Sequence, residues 1–199
     1  MEKLSRKDQI LQVLVSMLES SLGEAITTAN LAKQVGVSEA ALYRHFPSKF
    51  KMFEGLIDYM DETVFSRIKK IMEEESAVTV RCEKICLLVL TFAEKNPGLS
   101  RLLFGDVLLG ERDLLRHRTA QFYERISLQM RQAMRDAVLQ EDRQFSCSPS
   151  VLASLLTALI EGRVSQYVRS GFKVMPTQHW KEQWNALDQG LFAQKVSVF

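Results

Sequence analysis

The sequence predicts an all-α protein with a small three-helix head and a larger helical body. Three observations carry this. Apolar residues recur at three- and four-residue spacing almost from end to end, and no segment alternates with the two-residue period of a strand. Residues 26–49, ITTANLAKQVGVSEAALYRHFPSK, read as two short helices joined by a glycine turn, the layout of a helix-turn-helix. A late segment from Pro149 is apolar round much of its circumference, so it is buried on more than one side.

The elements follow in order. A first helix from Leu4 to Ser21 gathers Ile10, Leu11, Leu14, Met17 and Leu18 on one face. Thr28 caps the next, which buries Leu31, Ala32 and Val35, and Gly36 supplies the turn because only glycine takes positive φ cheaply. Ser38 caps a third helix that runs to Phe46 and is stopped by Pro47. A long helix then runs from Ser48 or Lys49 to Glu75, with the stripe Phe53, Leu56, Ile57, Met60, Val64, Ile68 and Ile71. Another spans Val80–Lys95 and breaks at Asn96-Pro97-Gly98; a shorter one spans Leu99–Leu109. The stripe Phe122, Ile126, Met130, Met134, Val138 marks a helix from Arg112 to Gln140. The polar segment Glu141–Ser148 has linker composition. Pro149 opens the very apolar helix, ended by Gly171, and Pro176 opens a last one containing Trp180, Trp184, Leu187, Leu191 and Phe192. The domain reading is residues 1–48 for the head and 49–199 for the body.

A chain of 199 residues with 46% hydrophobic content has ample material for a core. No apolar run is long enough to span a membrane and no secretory signal opens the chain, so the reading is cytoplasmic. The three cysteines form no disulfide framework; Cys82 and Cys86 share a helix face as small apolar side chains, no matching pair completes a metal site, and Cys147 falls in a loop. A net charge of +2 says little about partners. The local pattern says more: Ala40–Phe53 carries Arg44, Lys49, Lys51 and His45 and no acid, a basic patch centred on the second motif helix. With no Gly-rich phosphate loop, metal-ligand cluster or paired nucleophile and base, the chain reads as a non-enzyme with no cofactor; His117 and His179 read as surface residues.

The second motif helix has the chemistry of a recognition helix. Small residues near its start allow close approach to base edges, and Tyr43, Arg44 and His45 supply phosphate donors. A second copy of the chain most easily covers the last two helices, in a four-helix interface built on Leu152, Leu155, Leu156, Leu159, Val164, Trp184 and Leu187; burial within one subunit is the alternative. Two heads related by a two-fold axis would read a palindrome with half-sites about one helical turn, or a multiple of it, apart.

The head, the segment VSEAALYRHFPSK and the two apolar closing helices resemble the TetR family of regulators. The resemblance implies base contacts from Ser38, Glu39 and Ala40, and phosphate contacts from Thr27, Thr28, Tyr43, Arg44, His45 and Lys49, the last at a helix N-terminus. ITTANLAKQVGVSEAALYRHFPSK, MFEGLI, FAEKNPGLSRLL and YVRSGFK carry the likeness into the body, towards the members of that family that act in nucleoid occlusion. They imply palindromic double-stranded DNA, a homodimer and the tubulin-like division protein FtsZ as partners, at the nucleoid. The N-terminal arm is shorter and less basic than that pattern, and the tail from Phe192 to Phe199 departs from it.

A partner groove is legible as a pattern. On the long helix Arg67 falls among the apolar positions, Tyr59 and Lys70 share a flank, and the next helix ends at Glu94-Lys95-Asn96. Tyr59, Arg67, Lys95 and Asn96 would line a groove with an aromatic wall and positive charge, suited to an acidic, apolar peptide such as the FtsZ tail; an Arg67–Glu94 ion pair within one subunit is the alternative. A ligand-responsive repressor remains the competing function, but dense Leu, Ile, Val, Phe and Met stripes leave little to orient a small molecule, and none is predicted.

Overall fold

The computed structural model describes residues 5–21, 26–108, 113–141 and 144–192. Among them the chain is helical without a strand. The helices are α1 (Arg6–Ser20), α2 (Thr28–Val35), α3 (Glu39–His45), α4 (Lys49–Glu74), α5 (Val78–Lys95), α6 (Pro97–Phe104), α7 (Asp113–Glu141), α8 (Pro149–Arg169) and α9 (Trp180–Leu191), with a 3-10 turn at Asp106–Leu108. The predicted limits at Leu4, Leu109 and Arg112 and the tail beyond Phe192 lie outside the described residues.

The described parts of Met1–Glu62 and Asn96–Ala120 pack as one compact unit; those of Thr63–Lys95 and Gln121–Phe199 pack as another. In the first unit a capping box opens α1: Asp8 N donates to Ser5 Oγ at 3.2 Å and Ser5 N to the Asp8 carboxylate at 3.1 Å. Ile10, Leu14, Met17 and Leu18 of α1 meet Leu31 and Ala32 of α2 and Leu42 of α3 in a closed apolar centre. α6 also packs on α1. Gly98 permits this, since a Cβ there would overlap the carbonyl oxygen of Val15. Arg101, 2% exposed, fastens the contact by donating to the carbonyls of Leu18 and Ser21, both at 2.9 Å, and to Asp106 at 2.8 Å. A buried guanidinium here closes the C-terminal end of α1, whose last carbonyls lack helical partners.

In the second unit α5 is buried along Cys82, Ile85, Cys86, Val89, Leu90 and Ala93, and α8 packs against it through Leu152, Leu156, Ile160 and Val164. The Tyr167 hydroxyl donates to the Glu94 carbonyl at 3.1 Å, and the Glu94 carboxylate accepts from Thr177 N and Oγ1. Trp180, Trp184, Phe192 and Phe145 form an aromatic cluster, with ring centroids 5.7–5.9 Å apart.

The structure corrects five readings. The α2 cap is Thr27, not Thr28: its hydroxyl accepts from Asn30 N at 3.2 Å, and Thr28 is the first helical residue. Pro97 starts α6 and does not merely break the chain, because at the first helical position its missing N–H would be unpaired anyway. α6 stops at Gly105, in the left-handed region at φ 86°, short of Leu109. The last helix begins at Trp180 and not at Pro176, because the Arg163 guanidinium donates to the backbone carbonyls of Pro176 and Gln178 and holds 176–179 in turns. Val138 is exposed, and Ala137 takes the inward position near the end of α7.

Candidate nucleic-acid interface

The helix-turn-helix is built by its caps and its turn. Ser38 Oγ accepts from Ala41 N at 3.2 Å, as Thr27 does for Asn30, and each hydroxyl keeps its own proton for an outside acceptor. Between them Gly36, at φ 76°, closes α2: Gly36 N donates to Lys33 O and Val37 N to Ala32 O, the paired bonds of a left-handed helix stop. Leu42 is the buried anchor of α3, and this turns the rest of that helix outward.

Eight of the predicted DNA residues are therefore held on or beside α2 and α3, with Lys49 at the start of α4. Thr27, Ser38, Glu39, Ala40, Tyr43 and Arg44 are exposed; Thr28, His45 and Lys49 are half-buried. Three of them form a chain. The Tyr43 hydroxyl donates to Thr28 Oγ1 at 3.3 Å, and Thr28 Oγ1 donates to the Glu39 carboxylate at 3.0 Å. The Lys49 ammonium lies over the Phe53 ring at 5.4 Å and Lys51 pairs with Glu54 at 2.5 Å, so the two lysines of the patch differ in how much charge they present. Lys7, which the motif does not contain, adds charge here: its ammonium sits 5.9 Å from the ring of Phe46, the residue that ends α3. Its signal in the sequence was the Arg6-Lys7 pair in the first turn of α1, where the helix dipole disfavours cations.

The predicted partner residues divide between the two units. In the first, Tyr59, 52% exposed, and Asn96 line one recess of about 330 Å³ with Leu11, Val15, Leu56 and Leu99, rimmed by Asp8 and Gln12. In the second, Arg67 is exposed and donates to its own helix at Thr63 O, 2.8 Å away, and Lys95 is an exposed residue in the last turn of α5. Arg67 does not fall among the buried positions. The buried line steps from Met60 to Val64 to Ile68, each step turning the core side by about 40° away from it. Glu94, the candidate intramolecular partner of Arg67, is engaged by Thr177.

Of the predicted pairing residues, Leu152, Leu156, Val164 and Trp184 are buried within the single chain, and Leu159 and Leu187 are half-buried. Leu155 is 47% exposed, on a face of α8 that also presents Val151, Ala158 and Gly162. The cysteines fit an apolar role: burial pushes the Cys82 thiol up to about 12 and holds the Cys86 thiol well above its usual range, and Cys86 Sγ lies 3.8 Å from Met130 Sδ. Cys147 is exposed. Among the described residues no helix is long and apolar enough to cross a membrane.

Comparison with known proteins separates the two parts of the chain. Residues 24–56 match the family described as bacterial regulatory proteins, tetR family, and residues 76–192 match the SlmA-like class of tetracyclin repressor-like C-terminal domains. The nucleoid occlusion factor SlmA of Shewanella woodyi is 53% identical over 189 residues, covering 95% of this chain and 96% of its own. Among solved structures, the MbdR regulator of Azoarcus sp. CIB superimposes with a TM-score of 0.78 at 17% identity, over 95% of this chain and 100% of its own. The FadR regulator of Bacillus subtilis, solved in complex with stearoyl-CoA, gives 0.72 at 15% identity, over 92% and 98%. These two share the fold.

Proposed function

The chain belongs to the TetR family, in the group of the nucleoid occlusion factors SlmA, and from that premise we propose that it is a DNA-binding nucleoid occlusion factor. In this reading a homodimer binds palindromic double-stranded DNA on the nucleoid, in the cytoplasm, and in that state engages FtsZ and prevents division-ring assembly. The observation that carries it is that the identity to nucleoid occlusion factors runs through the body as well as the head. A protein that shared only DNA reading with them would diverge in the body.

Residues 1–48 are assigned to DNA and 49–199 to pairing and partner binding. The exposed face of α8 at Val151, Leu155 and Ala158 supports pairing, since an aqueous surface rarely leaves contiguous apolar helix positions uncovered. The recess holding Tyr59 and Asn96 supports peptide binding: Leu11, Val15, Leu56 and Leu99 give it a largely apolar wall. Arg67 and Lys95 supply exposed cations for an acidic segment.

The test is FtsZ assembly followed by light scattering, with purified protein and a duplex taken from its own chromosomal sites. Wild-type protein with the duplex is expected to suppress assembly. Arg67→Asp is expected to bind the duplex normally and leave assembly intact. Full suppression by Arg67→Asp would move the partner surface elsewhere, and no suppression by wild type would end the FtsZ reading.

A further inference from the structure

We propose that Glu39 is a built-in rival to phosphate, one that sets how sharply the head separates its operator from bulk DNA. The proposal rests on the DNA-binding reading above. Glu39 is the one acid in α3, whose sequence is EAALYRH, and it is exposed at the start of the helix. Its carboxylate accepts the Thr28 hydroxyl proton at 3.0 Å, and Thr28 in turn accepts the Tyr43 hydroxyl proton at 3.3 Å. Thr28 has one proton and Tyr43 has one. Both protons are therefore directed along a chain that ends on an anionic oxygen, the same kind of acceptor that a DNA phosphate presents.

Two consequences follow for any duplex that approaches. Thr28 reaches a phosphate only by exchanging one anionic acceptor for another, so its exchange adds little, whereas Tyr43 exchanges the neutral Thr28 hydroxyl for an anion and gains. The carboxylate left behind then faces the polyanion bare. Arg44, His45 and Lys49 attract every sequence equally, since phosphate contacts carry no base information. Glu39 opposes that attraction equally, except where the duplex offers it a donor. In the major groove the group that suits a carboxylate is the N4 amine of cytosine. A site with cytosine under the start of α3 relieves the opposition best, adenine less well because the N7 acceptor sits beside its amine, and guanine or thymine not at all. Glu39 thus produces specificity by weakening wrong complexes as much as by strengthening the right one.

The experiment uses the full-length protein and two duplexes. One is enriched by in vitro selection on wild-type protein; the other is a scrambled duplex of equal length and composition. Binding is read by fluorescence anisotropy at several salt concentrations. Glu39→Gln keeps the shape and an acceptor for Thr28 but removes the charge. It is expected to bind the scrambled duplex about tenfold more tightly, roughly the size expected of one fully exposed charge about 4 Å from another across water, and to gain nothing on the selected duplex. Repeating the selection with this variant should lose the preference for cytosine at one position in each half-site. Glu39→Asp keeps the charge and is expected to keep weak binding to the scrambled duplex. Equal changes on both duplexes, or unchanged affinity for the scrambled one, would overturn the proposal. A wild-type protein that enriches no sequence would overturn the DNA-binding reading itself, and the role of Glu39 with it.

Discussion

The two packing units solve opposite problems. The unit containing the helix-turn-helix adds to its apolar centre a set of directional polar contacts: the Ser5–Asp8 box, the Thr27 and Ser38 caps, and the buried Arg101 on the end of α1. Its exposed surface is likewise polar and already ordered, with Tyr43, Thr28 and Glu39 in one chain of hydrogen bonds. The other unit is held by apolar packing of α5, α7 and α8, and what it leaves outside on α8 is apolar again. The difference suits the partners proposed for them. A phosphate backbone is recognised by donors fixed in direction, whereas another helical surface is recognised by area that water disfavours.

That contrast is open to attack at several points. The largest effect is expected from Arg101→Met, which leaves the carbonyls of Leu18 and Ser21 and the Asp106 carboxylate without their buried partner. Equilibrium urea unfolding should show a loss of about 3–5 kcal/mol, the range for breaking a buried charged network on one side. A loss below about 1 kcal/mol would mean that packing, not Arg101, holds the unit. Next, Leu155→Arg places a charge on the exposed face of α8. Sedimentation should show monomers, and operator affinity should fall about 100-fold or more because the two half-sites are no longer bound together. A stable dimer would refute pairing through that face.

A smaller effect is expected from Tyr43→Ala. The loss of one donor to a charged acceptor should weaken binding about tenfold at every sequence tested, with little change in preference. Unchanged affinity would remove Tyr43 from the interface. The smallest test concerns the thiols. Burial raises Cys82 to about 12 and holds Cys86 well above its usual range, so at pH 8 both stay protonated and shielded. A thiol reagent should count one reactive group in the native chain, from Cys147, and three after unfolding. Rapid reaction of more than one would show that the core around α5 opens easily.

Long-period patterns were legible in the sequence and local competitions were not. The stripe on α4 and the helix-turn-helix could be read because burial at Phe53, Leu56, Met60 and Val64 and the Gly36 turn depend on residues close in the chain. The start of the last helix is not legible in the sequence because the deciding group, Arg163, lies thirteen residues before Pro176 and acts through a side chain. Thr27 and Thr28 are interchangeable as caps by residue type; only the path of the chain decides between them. The exposure of Arg67 likewise depended on where the stripe drifted, a few tens of degrees that a helical wheel drawn from Met60 does not resolve. At the candidate site, residue types point to α2 and α3, but the hydrogen-bond chain from Tyr43 to Glu39 joins positions up to 15 residues apart and exists only once α2 and α3 are packed.

The central claim is that this chain marks the nucleoid and does not merely control a promoter. Chromosome-wide occupancy, measured by immunoprecipitation and sequencing in the native cell, tests it most directly. The account predicts dozens of dispersed palindromic sites, depleted near the replication terminus. Occupancy confined to one or a few promoters, its own among them, with release by a small molecule, would contradict it and make the protein a ligand-responsive repressor.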